Sequence, residues 1–204
     1  MFDVLIIGGG VAGVSCALVL GSARKKPFVL DKKIAILTHQ KTSSLQEALF
    51  NNAYGIPAGK LGSELLTESI AQLQELYPHV AQIDGEKVMR IDGNYPDFLV
   101  VTNKNSYQTK NIVVAIGYSN TFAIEGLMQF IENHKKTVLE KNRIQLKNND
   151  HKVVDGIYVA GTLAGHRSQL SIAAGSGAAV ATDILTDWNN GNQTQSHDKI
   201  VNIY

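Results

Sequence analysis

A short apolar strand, Phe2-Asp3-Val4-Leu5-Ile6-Ile7, runs directly into Gly8-Gly9-Gly10-Val11-Ala12-Gly13, a G-x-G-x-x-G turn that opens a helix. Three spaced glycines narrow sharply what such a chain can fold into. Gly8 permits a tight strand-to-helix turn, Gly10 leaves the backbone bare where a diphosphate must approach, and Gly13 lets the helix lie close on the strand. The first turn of that helix, from Val11 and Ala12 onward, then offers N–H groups without partners and a positive dipole end to phosphates. Asp31 stands 18 residues beyond Gly13, at the end of a second apolar run, Phe28-Val29-Leu30. There its carboxylate is expected to accept hydrogen bonds from a ribose diol, while Lys32 either touches the adenine-side phosphate or is solvated. Strand, glycines, helix and acid in this order mark a dinucleotide-binding unit rather than an ordinary glycine-rich turn.

The rest of the chain reads as an α/β domain. Helical spacing of Val14, Ala17, Leu18 and Gly21 carries the first helix to about Arg24, where Pro27 follows. Lys32 to Ser44 reads as strand or loop. Leu61, Leu65 or Leu66, Ile70, Leu73 and Tyr77 mark a second helix that stops before Pro78. From Val80 to Ile116, short β-rich runs separated by Asp84-Gly85, Asp92-Gly93 and Asn103-Lys104-Asn105 predict a three-stranded meander. Its last run, Ile112 to Ile116, returns to a buried parallel sheet. Residues 119–156 are assigned loops and one short helix. Asp155-Gly156 introduces another buried strand, and the run from Leu170 through Ala173, Gly177, Val180 and Ile184 predicts a long helix. A single domain over 1–188 with a loosely held polar tail over 189–204 is expected.

Composition excludes several classes. With 19 basic and 18 acidic residues spread through 204, no field exists to recruit nucleic acid or an anionic membrane. The first apolar run is too short for a signal peptide or a membrane span, so a cytoplasmic location is expected. The one cysteine, Cys16, reads as a buried structural residue. The six histidines show no paired helical spacing and no neighbouring cysteines, so no metal site is predicted. His166 and Arg167 precede the long C-terminal helix and could approach a cofactor ring or a substrate anion, although a surface-loop role is preferred. The pairs Asp183/Asp187 and Glu64/Glu68 read as exposed helix faces.

The second half of the chain separates the dinucleotides. Gly156-Ile157-Tyr158-Val159-Ala160-Gly161-Thr162, followed by Gln169-Leu170-Ser171-Ile172-Ala173-Ala174-Gly175-Ser176-Gly177, resembles the second flavin motif of the thioredoxin reductase-like flavoproteins. Asn52-Ala53-Tyr54-Gly55 is similar to that family's Asn-aromatic-Pro-Gly station, and Ala115-Ile116-Gly117 to its Ala-Thr-Gly station. The resemblance implies an FAD-binding Rossmann-like domain with a central parallel sheet and a three-stranded β-meander. It further implies that FAD lies along Gly8, Gly10, Val11, Ala12 and Gly13, Asp31 and Lys32, Asn52, the backbone at Val88, Ala115-Ile116-Gly117, Gly161-Thr162, and Gln169-Leu170-Ser171.

Departures from the family qualify the assignment. Between the meander and the last flavin motif lie only about 38 residues, 118–155, without a second G-x-G-x-x-G, and there is no Cys-x-x-Cys. The chain therefore resembles the flavin half alone. Thr162 stands where the family has an Asp for the ribityl chain, which removes a charge-assisted contact. The expected activity is electron transfer from NAD(P)H or a partner protein to an acceptor, with the flavin supplying the chemistry and no side chain required as acid or base. A sensory flavoprotein without turnover is the alternative, and a homodimer is compatible with either.

Overall fold

The computed structural model describes residues 1–39, 43–117 and 122–198. In chain order the elements are β1 (Val4–Ile7), α1 (Val11–Ser22), β2 (Ile34–Thr38), β3 (Leu49–Phe50), β4 (Lys60–Leu61), α2 (Gly62–Leu76) and β5 (Val80–Asp84). They continue with β6 (Val88–Asn94), β7 (Asp97–Thr102), β8 (Ser106–Thr109), β9 (Ile112–Val114), β10 (Ile131–Asn133), β11 (Ile144–Leu146), β12 (Lys152–Val154), β13 (Ile157–Val159) and α3 (Leu170–Trp188).

The central sheet has the order β12-β13-β9-β1-β2-β5. All its strands are parallel except β12, which pairs antiparallel at the edge. Every residue of β1, β2, β9 and β13 is buried, as expected for β-branched runs covered on both sides. Alternation then splits the sheet into two faces. Val4, Ile6, Ile34, Ile36, Val113 and Tyr158 pack with Cys16, Leu20, Leu73, Val180 and Ile184 from the three helices. Leu5, Ile7, Leu37, Val114 and Val159 face the other way, onto Val88, Phe98 and Val100 of the antiparallel sheet β6-β7-β8 and onto Phe122, Leu127 and Leu146. Each such buried aliphatic side chain contributes about 1.5–3 kcal/mol, so much of the stabilisation lies at the sheet centre.

Three expectations change. Phe28-Val29-Leu30 is a turn, with Val29 N–H donating to Lys26 O and Lys32 N–H to Val29 O; the second strand is the Ile34–Thr38 run instead. The meander spans 88–109 rather than starting at Val80, because β5 joins the parallel sheet beside β2. Residues 122–156 hold a β10–β11 hairpin and strand β12 with short 3-10 turns. Beyond α3, residues 189–198 pack back on the domain: Tyr77 Oη donates to Asp198 at 2.6 Å and Ser22 Oγ to Ser196 Oγ at 3.0 Å. The remainder of the predicted tail lies outside the described residues. Among the described residues no helix is long and apolar enough to cross a membrane.

Candidate cofactor cleft

Register brings the glycine turn and two later turns to one edge of the sheet. Ile7 is level with Leu37 on β2 and Val114 on β9, and Val114 is level with Val159 on β13. The chain therefore leaves β1 at Gly8, β9 at Ala115 and β13 at Ala160, all at the carboxyl edge of the parallel strands, where ligands of open α/β sheets bind. Gly8 has φ +121° and packs on the Ala115 carbonyl and the Ile116 side chain, a conformation and approach open only to glycine. A Cβ on Gly13 would overlap the Gly8 carbonyl oxygen, so the turn closes as the sequence requires. Gly10 has nothing within 4 Å of where its Cβ would stand, so its bare face opens outward.

Two helix N-termini open near this edge. α1 begins after Gly10 and α3 after Gln169; neither has a side-chain cap or an acidic residue in its first turn. The first N–H groups of each helix lack helical acceptors, so both ends carry partial positive charge without compensation. The helices touch where Gly177 lies against Ala12 and where Ser15 Oγ donates to Ala174 O at 2.8 Å. Leu170 precedes Gly177 by seven residues. At 1.5 Å per residue, the α3 start thus lies about 10 Å along its axis from the α1 contact.

Gly161, with φ +72°, starts a 3-10 turn containing Thr162, and its missing Cβ faces the Ala12 side chain. Its N–H donates to buried Ser176 Oγ at 2.8 Å, tying the β13 turn to α3. Gly117 has φ +87° and open space on its Cβ side. Gln169 and Ser171 are exposed, Leu170 is half-buried, and Ile116 and Ile172 expose apolar surface. The structure thus brings Gly8, Gly10, Val11, Ala12, Gly13, Ala115, Ile116, Gly117, Gly161 and Thr162 together at the carboxyl edge, with Gln169, Leu170 and Ser171 at the start of α3.

Asp31 and Lys32 lie at the opposite edge, and Asn52 and Val88 belong to other elements. Asp31 is three residues before Ile34, which is level with Val4, so it sits at the amino edge of the sheet, opposite the glycine turn. Lys32 shares that edge: its ammonium lies 3.7 Å from the Asp3 carboxylate and 5.3 Å from the Trp188 ring centroid. Burial alone would raise the pKa of Asp3, but the Lys33 N–H and the Lys110 ammonium at 3.0 Å outweigh it and hold the carboxyl below its usual value. Asn52 is exposed in the turn between β3 and β4, where its neighbour Asn51 accepts the Gly59 N–H at 2.8 Å. Val88 starts β6 with its side chain in the core.

The place expected for the acid, at the carboxyl end of β2, is held by Thr38 and His39. Thr38 Oγ1 donates to Asp84 Oδ1 at 2.9 Å, so a carboxylate from β5 stands at the end of β2. Glycine and periodicity gave no signal for this, because the contact spans two strands far apart in sequence.

Sequence spacing also missed a histidine group. His151 Nε2 lies 2.9 Å from His166 Nε2 and 3.2 Å from Ser176 Oγ, and His134 Nε2 lies 3.2 Å from the His166 carbonyl oxygen. Burial lowers the His151 pKa against the opposing pull of Asp150; burial, followed by His151, Lys136 and His134, lowers that of His166. No group of three metal-ligating side chains forms among the described residues. Cys16 is fully buried, which pushes its thiol pKa up and keeps it inert.

Comparison with known proteins gives the family. The family model described as pyridine nucleotide-disulphide oxidoreductase matches residues 2–170, and the chain belongs to that family of FAD-binding oxidoreductases. It is 27% identical over 148 residues to an uncharacterized oxidoreductase, CzcO, of Bacillus velezensis, covering 66% of this chain and 41% of that protein. It is 31% identical over 116 residues to a ferredoxin–NADP reductase of Levilactobacillus brevis, covering 57% of this chain and 34% of that protein. The chain thus spans less than half the length of these curated relatives. A thioredoxin reductase structure from Gloeobacter violaceus superposes with a TM-score of 0.70 at 17% identity, covering 98% of this chain and 99% of that one, which shows the same fold. The open Gly10, the two uncapped helix ends and the exposed Ile116 and Ile172 fit an elongated group with a charged diphosphate and a flat apolar head.

Proposed function

We propose that this chain holds FAD across its two helix N-termini and passes electrons between a reduced nicotinamide or a redox partner protein and an acceptor. The observation that carries the reading is the pairing of α1 and α3 through Gly177 and Ala12, which sets two uncapped helix ends about 10 Å apart along one helix axis. Gly10 and the N–H groups of Val11, Ala12 and Gly13 take the diphosphate. Gly161 and Thr162 line the path of the ribityl chain, where the Thr162 hydroxyl serves as a neutral partner. The first turn of α3, from Leu170 and Ser171, faces the pyrimidine edge, and its dipole favours the anionic reduced state. Ala115, Ile116 and Gly117 flank the ring.

The bound flavin supplies the redox chemistry; this chain's residues bind, orient and tune it. The relatives named as ferredoxin–NADP reductases support a nicotinamide or a small redox protein as the exchanging partner. The test is an absorption spectrum of the purified protein, release of FAD on denaturation, and anaerobic titration with NADH and NADPH. A yellow protein bleached by either nucleotide supports the reading. A colourless protein that takes up no added FAD overturns it, and a flavin that neither nucleotide nor a reduced redox protein bleaches overturns turnover.

A further inference from the structure

Beyond the flavin cleft, the loop joining β10 to β11 and the segment just ahead of α3 border an open concavity of about 590 Å³. Its charged lining is cationic, Lys136, Lys141, Arg143 and Arg167, beside Thr137, Ser168 and the rings of His134 and His166. No acidic residue lines it, and Lys136, Lys141 and Arg167 make no ion pair among the described residues. The nearby acids are committed or outside: Glu132 pairs with Lys135 at 2.7 Å and accepts from Gln145 at 2.8 Å, and Glu140 is exposed.

The cavity is held in shape. Buried His134 accepts the Lys136 N–H at Nδ1 (3.2 Å), which leaves Nε2 as the nitrogen that donates to the His166 carbonyl. Thr137 Oγ1 sits 3.0 Å from the same Nδ1, and the Lys135 N–H donates to buried Gln145 at 3.0 Å. One imidazole thereby clamps the loop to the segment before α3.

The three permanent positive charges of Lys136, Lys141 and Arg167 gathered around a concavity repel one another, and no residue of the described lining offsets them. A single carboxylate would leave most of that charge uncompensated. Arg167 offers a planar fork and Lys136 and Lys141 point charges, a donor set suited to phosphate oxygens. The volume lies in the range of small-molecule sites. We propose that this cavity binds a small molecule carrying a diphosphate or two phosphates, at a site separate from the glycine turn and next to the start of α3.

The test follows the ring resonances of His134 and His166 and the backbone amide of Gly10 by NMR at constant ionic strength, with inorganic pyrophosphate as the probe and citrate as a polycarboxylate of comparable charge. Saturable shifts of both rings with pyrophosphate, at least about tenfold weaker with citrate, are expected. Lys141→Gln and Arg167→Gln, both exposed positions, should each weaken the ring response about tenfold and leave any Gly10 response unchanged. Rings that stay still at millimolar pyrophosphate overturn the site. Citrate binding as tightly overturns its assignment to phosphate. A Gly10 response reports the glycine turn alone, so failure of the flavin reading and failure of this one are told apart.

Discussion

Gly177 lies so close on Ala12 that a Cβ on it would overlap the Ala12 carbonyl oxygen. That contact sets α3 against α1 and therefore fixes how far apart the two positive helix ends stand. Gly177→Ala should push the helices apart at a cost of about 1–3 kcal/mol, as overpacking does. Urea unfolding should show a lowered midpoint, and FAD affinity should fall with it, since both binding ends move.

Gly10→Ala separates binding from folding. Its Cβ would meet nothing within 4 Å, so the methyl points into the cleft rather than into protein. Stability should change by no more than about 1 kcal/mol, the scale of a lost glycine cap. FAD affinity, read by fluorescence quenching, should fall about tenfold or more, ~1.4 kcal/mol, because the methyl stands where the diphosphate approaches.

Ser176 offers a sharper test of the β13–α3 tie. Its Oγ accepts the buried Gly161 N–H at 2.8 Å and lies 3.2 Å from His151 Nε2. Ser176→Ala would strand that N–H away from water, at about 1–3 kcal/mol. Hydrogen exchange at the Gly161 amide should accelerate in the variant, while Ser171→Ala, at an exposed position, should leave it slow.

Acid should destabilise the protein in a window set by its histidines. Burial lowers the pKa of His79, His151 and His166 below 6.5. Above pH 6.5 both folded and unfolded chains hold these rings neutral, and their full contribution is present. Below it the unfolded chain binds protons that the folded one refuses, so stability falls with pH until the lowered folded values are passed. Denaturant midpoints measured from pH 7.5 down to 5 should decline, and His151→Gln should flatten the slope.

What the sequence revealed follows from how local each requirement is. The glycine turn was legible because Gly8, Gly10 and Gly13 each meet a demand set within a few residues, and β9, β13 and α3 because continuous apolar runs and helical spacing are local too. Phe28-Val29-Leu30 looked like a strand because it is apolar and follows Pro27, yet the Val29 N–H bonds three residues back, to Lys26 O. The buried strand one turn later, Ile34–Thr38, carried the same composition, and only pairing with β1 and β5 separates them. His134, His151 and His166 are 15 or more residues apart, so no spacing rule could join them. The loop after β10 and the segments ahead of β12 and α3 meet to do so.

That misplacement yields the last prediction. Asp31 sits at the amino edge of the sheet, whereas Asp84, bonded to Thr38 Oγ1 at 2.9 Å, stands at the carboxyl edge beside the end of β2. If a carboxylate of this chain holds the adenosine ribose, geometry favours Asp84. Asp84→Ala should weaken FAD binding by the worth of a charged hydrogen bond, about 1.5–3 kcal/mol, or tenfold and more. Asp31→Ala should leave FAD affinity unchanged within about twofold, ~0.4 kcal/mol. The reverse ranking, measured by titration of the two apoproteins with FAD, would return the ribose to Asp31 and require the 26–33 turn to lie at the other end of the sheet.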